Sequence, residues 1–181
     1  MRYLLGLDIG TSGTKTALFD ENGQTISTAT YGYDLFQPQA GYAEQNPEDW
    51  WNACVKGISN VIQKAGVQSE DIKGVGLSGQ MHGLVLVDKD YKVIRNSIIW
   101  CDQRTEKECE EITNTIGKER LIQITGNPAL TGFTLSKLLW IRNNEPENYK
   151  KIYKILLPKD YIRFKLTNVF ATEVSDASGM Q

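Results

Sequence analysis

The chain opens with "YLLGLDIGTSGTKTALFD", Tyr3 to Asp20, and most of its architecture can be worked out from there. Residues 3–9 are nearly all apolar, which is typical of a strand buried on both faces. A short loop of glycine and hydroxyl residues follows, and residues 14–19 form a second candidate strand. The Asn-Gly pair of "DENG" favours a tight hairpin, after which residues 24–31 alternate between apolar and polar side chains. The pattern predicts a three-stranded antiparallel meander whose first turn is the glycine–hydroxyl loop.

That loop has the chemistry of a phosphate-binding turn. Its glycines permit backbone dihedrals that aim several N–H groups at one point. Thr11, Ser12 and Thr14 add hydroxyl donors, and Lys15 adds a positive charge for phosphate oxygens. Asp8 is expected to be buried at the end of the first strand and to hold Mg²⁺ directly or through its water shell. The alternative is an ordinary hairpin turn with a capping aspartate, since the Walker A pattern GxxxxGK[ST] is absent.

A second glycine-rich segment, "IKGVGLSGQMHG", contains the only histidine of the chain, His82. Residues 72–79 are interpreted as a buried strand, and the histidine follows where that strand ends. Gly74, Gly76 and Ser78 lie on one face at a period of two, so a helix or ligand can approach the backbone closely. We expect this strand to share a sheet with the phosphate-type loop. His82 is then either a polar core residue or a ligand contact, and the segment alone leaves both open.

The rest of the chain predicts helices interleaved with short strands. Asn46 is a suitable N-cap, Pro47 suits the first helical position, and Gly66 ends a long helix. On this helix Trp51 is expected in the core and Trp50 partly at the surface. Further candidate elements are strands at 83–88, 93–100 and 153–157, and helices at 106–116, 134–143 (with an apolar leucine face), 146–151 and 159–166. This order of elements predicts an α/β or α+β class.

Composition excludes several classes of function. The 181 residues include 20 basic and 22 acidic ones, for a net charge of −2, with no basic stripe that would suggest nucleic acid. No segment resembles a signal or membrane span. Three cysteines without metal-ligand spacing indicate a reducing compartment, so a cytoplasmic location is expected.

Several segments together resemble one family. "LGLDIGTSGTKTALFD" is similar to the first phosphate loop of the actin-like, ribonuclease H-fold ATPases, and among them of the FGGY family of carbohydrate kinases. "GLSGQMHG", "IIWCDQRT", "TGNPALTGFTLSKLLWIRNNEPE", "LLPKDYIRFKLT" and "SDASG" resemble successive segments of those family members that act on D-xylulose, in the same order. The resemblance implies a ribonuclease H-like α/β lobe with a mixed sheet and flanking helices.

The resemblance also implies an activity: transfer of the γ-phosphoryl group of ATP to the 5-hydroxyl of D-xylulose, with Mg²⁺ as cofactor. It assigns Asp8 as the metal-associated catalytic aspartate, and Met81 and His82 as the substrate-contacting pair. A neutral imidazole offers one donor and one acceptor to sugar hydroxyls, and a methionine can pack against the carbon chain. The residues implied to surround the nucleotide phosphates are Thr11, Ser12 and Lys15.

The family's catalytic base lies in a "GGxDN"-like stretch that these residues lack. Asp176, in "SDASG", corresponds to a different segment. We therefore expect residues 1–181 to be most of the N-terminal lobe, without its end and without the second lobe, and to be inactive alone. The final residues, "TEVSDASGMQ", show no helix cap. Alternatives are a kinase for ribulose, gluconate or glycerol, or a non-catalytic sugar- or nucleotide-binding module. A homodimer is also possible on this interpretation.

A few further residues carry open alternatives. Asp102, Gln103 and Arg104 follow a predicted strand and could reach the sugar, the interface between lobes or each other. An Asp–Arg pair that caps the next helix is an equally good interpretation. Gln45, which precedes the long helix, is a weaker candidate for a place near the sugar.

Overall fold

The computed structural model describes residues 1–181 and contains one mixed sheet with helices on one side. The first three strands form the expected antiparallel meander, and the fifth strand adds parallel to the first, in the order β3-β2-β1-β5. Two pairs of short strands, β4 with β7 and β6 with β8, lie outside this sheet. The strands are β1 (Tyr3–Ile9), β2 (Gly13–Asp20), β3 (Thr25–Gly32), β4 (Glu44–Gln45), β5 (Ile72–Gly79), β6 (Val85–Val87), β7 (Ser97–Ile98) and β8 (Lys154–Leu156).

Seven helices are interspersed with the strands along the chain, besides one 3₁₀ turn at Ser69–Asp71. Most bounds agree with the sequence prediction to within one or two residues, and the strands predicted at 83–88 and 93–100 are shorter than expected. α3, α7 and β4 were not predicted. The helices are α1 (Pro47–Ala65), α2 (Glu106–Ile116), α3 (Lys118–Thr125), α4 (Thr134–Asn144), α5 (Pro146–Tyr149), α6 (Pro158–Thr167) and α7 (Val174–Ala177). None of them is long and apolar enough to cross a membrane.

Helix α1 begins and ends as predicted, but its buried face is rotated. The side chain of Asn46 accepts a hydrogen bond from the Glu48 N–H at 3.1 Å, and Gly66 ends the helix in the left-handed region. Trp50 is 0% exposed, so its predicted place at the surface is wrong, whereas Trp51 is partly buried and packs against the edge of the core. The cause is a close approach to β2: a Cβ at Gly57 would lie 2.2 Å from the Thr16 hydroxyl oxygen.

Only one face of the sheet is covered. Leu5, Leu7 and Ile9 of β1 are buried beneath the helices, in a core that extends to α1 and α6. On the other face Leu4 is 52% exposed and Val75 of β5 is 49% exposed. Strand β1 is therefore buried on one face, not on two as predicted, and β5, predicted as a buried strand, is only partly buried, because their apolar side chains alternate between a packed and an open side.

Helix α4 buries polar groups where the sequence predicts leucines. Thr134, Ser136 and Lys137 are buried together with Ile141, and the leucines at 135, 138 and 139 are only half-buried. The N-terminus of α4 thus faces the interior with hydroxyls and an amine, for which hydrogen-bond partners are required.

Near its end the chain forms a short capped helix, contrary to the expectation of no cap. The Glu173 carboxylate accepts hydrogen bonds from the N–H groups of Ser175 (2.8 Å) and Asp176 (2.7 Å) and so caps α7. Glutamate is not among the residues preferred at this position, which is why the sequence did not indicate the cap.

Candidate active site

The turn between β1 and β2 is closed by a backbone hydrogen bond of its own and packs tightly against β3. The Gly10 N–H donates to the Gly13 carbonyl at 3.1 Å, which closes the turn. A Cβ at Gly13 would lie 2.7 Å from the Tyr31 carbonyl oxygen of β3, so only glycine fits there. Ser12 is exposed, and Thr11 is partly exposed with its hydroxyl accepting a hydrogen bond from Trp100 Nε1 at 2.9 Å. Both predicted phosphate-contacting hydroxyls therefore lie at the accessible side of the turn.

Asp8 and Lys15 face each other across β1 and β2. They are directly paired in the antiparallel register, and Ser78 of β5 is the neighbour of Asp8 on its other side. Both charged residues are exposed on the open face of the sheet, where they help to line a shallow cavity of about 600 Å³. The prediction of a buried Asp8 is wrong, because successive residues of β1 alternate and Asp8 is on the uncovered side. Thr14 is also not available to a ligand, since it is 0% exposed and points into the core.

The residues at this turn fit a nucleotide-bound Mg²⁺ better than a metal held by protein alone. No group of three or more His, Cys, Asp or Glu side chains could hold a metal ion. Asp8 is a single accessible carboxylate beside a lysine, and Mg²⁺ commonly binds through one or two carboxylates together with waters and phosphate oxygens. Asp8 can therefore supply one ligand, with the phosphates of a nucleotide supplying others.

The end of β5 is tied to the same turn through Gln80 and Gln45. The Gln80 N–H donates to the Ile9 carbonyl at 2.8 Å, which extends the pairing of β1 with β5 by one residue. The side-chain oxygen of Gln45 accepts from Gln80 Nε2 at 2.8 Å and from Trp50 Nε1 at 3.2 Å. Its Nε2 donates to the Thr11 carbonyl at 2.7 Å. Gln45 is 1% exposed, so it joins the two candidate binding segments instead of facing a sugar.

His82 follows Gln80 and adopts a left-handed backbone conformation with φ of 60°. Its ring packs edge-on against Phe133, with 4.7 Å between centroids, and against Gly179 on α7's C-terminal side. Nδ1 is buried without a hydrogen-bond partner. Burial lowers the pKa of His82 below 6.5, and the nearby Lys137 lowers it further. The imidazole is therefore neutral at pH 7, while the neighbouring Met81 is 42% exposed.

Lys137 is a component of this region that the sequence did not indicate. Its amine is 0% exposed and donates hydrogen bonds to the carbonyls of His82 (2.8 Å) and Gly132 (2.6 Å). The hydroxyl of Thr134 donates to the same His82 carbonyl at 3.2 Å. Burial lowers the pKa of Lys137 to about 7. Because lysines are almost never fully buried, no pattern in the sequence distinguishes this one; only its place on α4 does.

Asp102 and Arg104 pair with each other in the interior. The guanidinium Nη2 lies 2.7 Å from Asp102 Oδ2, and Nη1 lies 2.8 Å from Glu44 Oε1. The arginine also stacks on Tyr42, 3.8 Å from the ring centroid. Thr105, at the N-cap of α2, makes no side-chain capping bond, so the pair does not cap that helix. Of the open alternatives, contact between the two side chains is the one observed. Gln103 accepts a hydrogen bond from the Thr131 hydroxyl.

The candidate site thus combines an antiparallel hairpin, whose glycine- and hydroxyl-rich turn (residues 10–13) is the predicted phosphate-type turn, with an adjacent parallel strand that ends beside it. Residues 3–181 match the N-terminal domain of the FGGY family of carbohydrate kinases, and the chain belongs to that family. It is 48% identical over 179 residues to the xylulose kinase of Bacillus subtilis strain 168, covering 99% of this chain and 36% of that protein. To the xylulose kinase of Escherichia coli K12 it is 39% identical over 175 residues, covering 97% of this chain and 35% of the other.

Solved structures confirm the fold class, a lobe of the actin-like ATPase type. The ligand-bound xylulose kinase from Lactobacillus acidophilus superposes with a TM-score of 0.92 at 30% identity, over 99% of this chain and 36% of that one. A gluconate kinase from the same organism gives 0.91 at 31% identity, again over 99% and 36%. The chain therefore spans little more than a third of the length of these relatives.

Proposed function

We propose that the full-length protein is a sugar kinase that transfers the γ-phosphoryl group of ATP to the 5-hydroxyl of D-xylulose. The observation that carries this proposal is the hydrogen bond from the Gln80 N–H to the Ile9 carbonyl. It places the segment with Met81 and His82 beside the phosphate-type turn, at the carboxyl ends of two parallel strands, where α/β sheets commonly bind ligands. Phosphoryl transfer depends mainly on such positioning and on charge stabilisation.

At the turn, the proposed roles follow from accessibility and charge. The exposed Lys15 and Ser12 and the partly exposed Thr11 bind phosphate oxygens of ATP. Asp8 holds Mg²⁺ together with the nucleotide. When bound, the metal neutralises negative charge on the phosphates. Because Lys15 is the cross-strand partner of Asp8, the turn presents charges of both signs to the metal–nucleotide complex.

On the sugar side, Met81 and His82 are proposed to bind D-xylulose. The lowered pKa of His82 keeps its ring neutral, and because Nδ1 is buried, Nε2 is the nitrogen proposed to form a hydrogen bond with a sugar hydroxyl. The role proposed for this ring is to bind a sugar hydroxyl and not to act as the base that deprotonates it. We propose that the base lies in the part of the relatives that this chain does not match, and that residues 1–181 alone do not turn over ATP with sugar. Activity of the purified 181-residue chain would contradict the second point.

The choice of sugar rests on sequence relatives, because the fold does not discriminate. The two Lactobacillus acidophilus kinases named for xylulose and gluconate are equally similar in structure, whereas the curated relatives at 39–48% identity are named for xylulose. Gluconate is therefore the second candidate substrate. A non-catalytic binding module would bind sugar or nucleotide without any turnover by the full-length protein. The cytoplasmic location and the homodimer stay predictions.

The test is a substrate comparison with the full-length protein. ADP release is measured with D-xylulose, ribulose, gluconate and glycerol, and we expect the highest kcat/KM with D-xylulose. His82→Ala should raise KM for D-xylulose and leave KM for ATP near its wild-type value. Lys107→Met, at an exposed position of α2, is the control and should change neither constant. A higher kcat/KM for another sugar, or an unchanged KM for D-xylulose in His82→Ala, would contradict the proposal.

A further inference from the structure

We propose that Lys137 is a positioning residue of the sugar site, which acts with Thr134 by holding the carbonyl of His82. The proposal rests on the proposed role of Met81 and His82 in sugar binding. It assigns a function to the buried polar side chains at the start of α4, Thr134 and Lys137.

The backbone at His82 needs support that its own segment does not supply. A φ of 60° is in the left-handed region, which residues other than glycine seldom adopt. The carbonyl of His82 accepts two hydrogen bonds, and both come from side chains at the start of α4: the Lys137 amine at 2.8 Å and the Thr134 hydroxyl at 3.2 Å. Strained conformations of this kind persist where the surroundings hold them, and they are common at ligand sites.

Lys137 links the backbone of His82 to the turn before α4. Its amine is fully buried, and its other hydrogen bond goes to the Gly132 carbonyl in the turn before α4. That turn also carries Phe133, whose ring packs on the imidazole of His82. One lysine therefore joins the backbone of the histidine to the segment that supports its ring. Charged or neutral, the amine has N–H groups to donate, so the contact survives a change in protonation.

The burial of a lysine is costly unless its hydrogen bonds are made, and Lys137 makes two, both to backbone carbonyls. Here Leu135, Leu138 and Leu139 are half-buried while Lys137 is turned inward. The orientation of the helix thus buries Ile141, which is 0% exposed, and at the same time brings the Lys137 amine to the His82 carbonyl. We infer that this contact fixes the direction in which Met81 and His82 point.

The experiment measures steady-state kinetics of variants of the full-length protein. Lys137→Met should raise KM for D-xylulose about tenfold, the size expected for the loss of the hydrogen bond from its amine to the His82 carbonyl, with KM for ATP unchanged. Thr134→Val should raise it about fivefold, while Thr134→Ser, which keeps the hydroxyl, should stay near wild type. Lys107→Met is the surface control. If Lys137→Met fails to fold, the comparison of Thr134→Val with Thr134→Ser still tests whether the hydrogen bonds to the His82 carbonyl affect sugar binding.

Double-mutant cycles that combine His82→Ala with Lys137→Met or Thr134→Val distinguish the positioning role of Lys137 and Thr134 from the sugar-binding role of His82. If Thr134 and Lys137 act through residue 82, each substitution should change KM for D-xylulose by a smaller factor in the His82→Ala background than in wild type. Equal factors in the two backgrounds, or wild-type KM values in both Lys137→Met and Thr134→Val, would overturn the positioning role. Failure of the proposed function has a different signature, since His82→Ala alone would then leave KM for D-xylulose unchanged.

Discussion

The imidazole of His82 lies directly against the backbone of Gly179. A Cβ at residue 179 would lie 2.0 Å from His82 Cε1 and 2.3 Å from Nδ1, so the ring occupies the space that any other residue would need. Phe133 covers the ring from another direction. His82, which is proposed to bind the sugar, is therefore placed by two segments far from it in sequence.

Gly179→Ala should displace the histidine ring. Because the clash is with a ring already packed on Phe133, we expect the ring to move and KM for D-xylulose of the full-length protein to rise by about tenfold or more, with little change in KM for ATP. Val174→Ala is the matched control, since the Val174 side chain on α7 is 89% exposed. A Gly179→Ala enzyme with wild-type KM for D-xylulose would show that the ring position does not matter for sugar binding.

The pKa of His82 provides a direct measure of its surroundings. The chain has one histidine, so its ring signals in an NMR titration of residues 1–181 are unambiguous. We expect a midpoint below 6.5, because burial and Lys137 both disfavour the charged ring, and a higher midpoint in Lys137→Met. A midpoint at or above 6.5 in a chain with the dispersed spectrum of a folded protein would contradict the described burial.

This lowered pKa also fixes the sign of a pH effect on stability. Between the folded-state pKa and 6.5, the unfolded chain binds more protons than the folded one, so the free energy of unfolding falls as the pH falls through that window. Above pH 6.5 the ring is neutral in both the folded and the unfolded chain, so this loss of stability is absent there. His82→Gln should remove this part of the acid dependence, which denaturant titrations at pH 5 and pH 7 can measure.

The interior pair of Asp102 and Arg104 should matter for stability far more than an ion pair at the surface. Asp102 is 0% exposed and also accepts a hydrogen bond from the Ala43 N–H at 2.6 Å. Asp102→Asn leaves a buried guanidinium with one carboxylate fewer, and should lower the free energy of unfolding by about 3 kcal/mol. Glu111→Gln, which removes the partner of Arg142 where both side chains are about 40% exposed, should cost less than about 1 kcal/mol. Equal losses in denaturant unfolding would contradict this ranking.

Local signals predicted the elements well and their orientation poorly. Asn46 and Gly66 marked the ends of α1 because capping is read from single residues. The choice between Trp50 and Trp51 could not be read from periodicity, because either tryptophan can belong to an apolar stripe. What decided it was the contact of Gly57 with Thr16, a long-range approach that small residues permit without adding to any hydrophobic pattern.

In the candidate site, too, local features were predicted and long-range contacts were not. The turn with Thr11, Ser12 and Lys15 was predicted because its residue types carry their chemistry locally, and the structure places them together at one end of the sheet. The burial of Asp8 was predicted wrongly, since one strand cannot reveal which of its faces the rest of the molecule covers. Lys137 could not be assigned at all, and Gln45 was assigned to a place near the sugar and not to its linking role, because both roles arise only from partners distant in sequence.

Gln45 should link both halves of the site, and its replacement should affect both substrates. Gln45→Leu leaves the Trp50 and Gln80 side-chain N–H groups and the Thr11 carbonyl without their partner, each at a cost of about 1–3 kcal/mol when buried. Since one contact reaches the phosphate-type turn and another the residue before Met81, we expect KM to rise for both ATP and D-xylulose in the full-length enzyme.

His82→Ala, by contrast, should affect the sugar alone. Gln63→Leu is the matched control, because Gln63 is exposed on α1 and the same exchange there removes no buried contact. If Gln45→Leu raised only one of the two KM values, the amide would support one segment and not join them. A rise in both, in an enzyme whose Tm has fallen no more than that of Asp102→Asn, would separate the joining of the two segments from a general loss of stability.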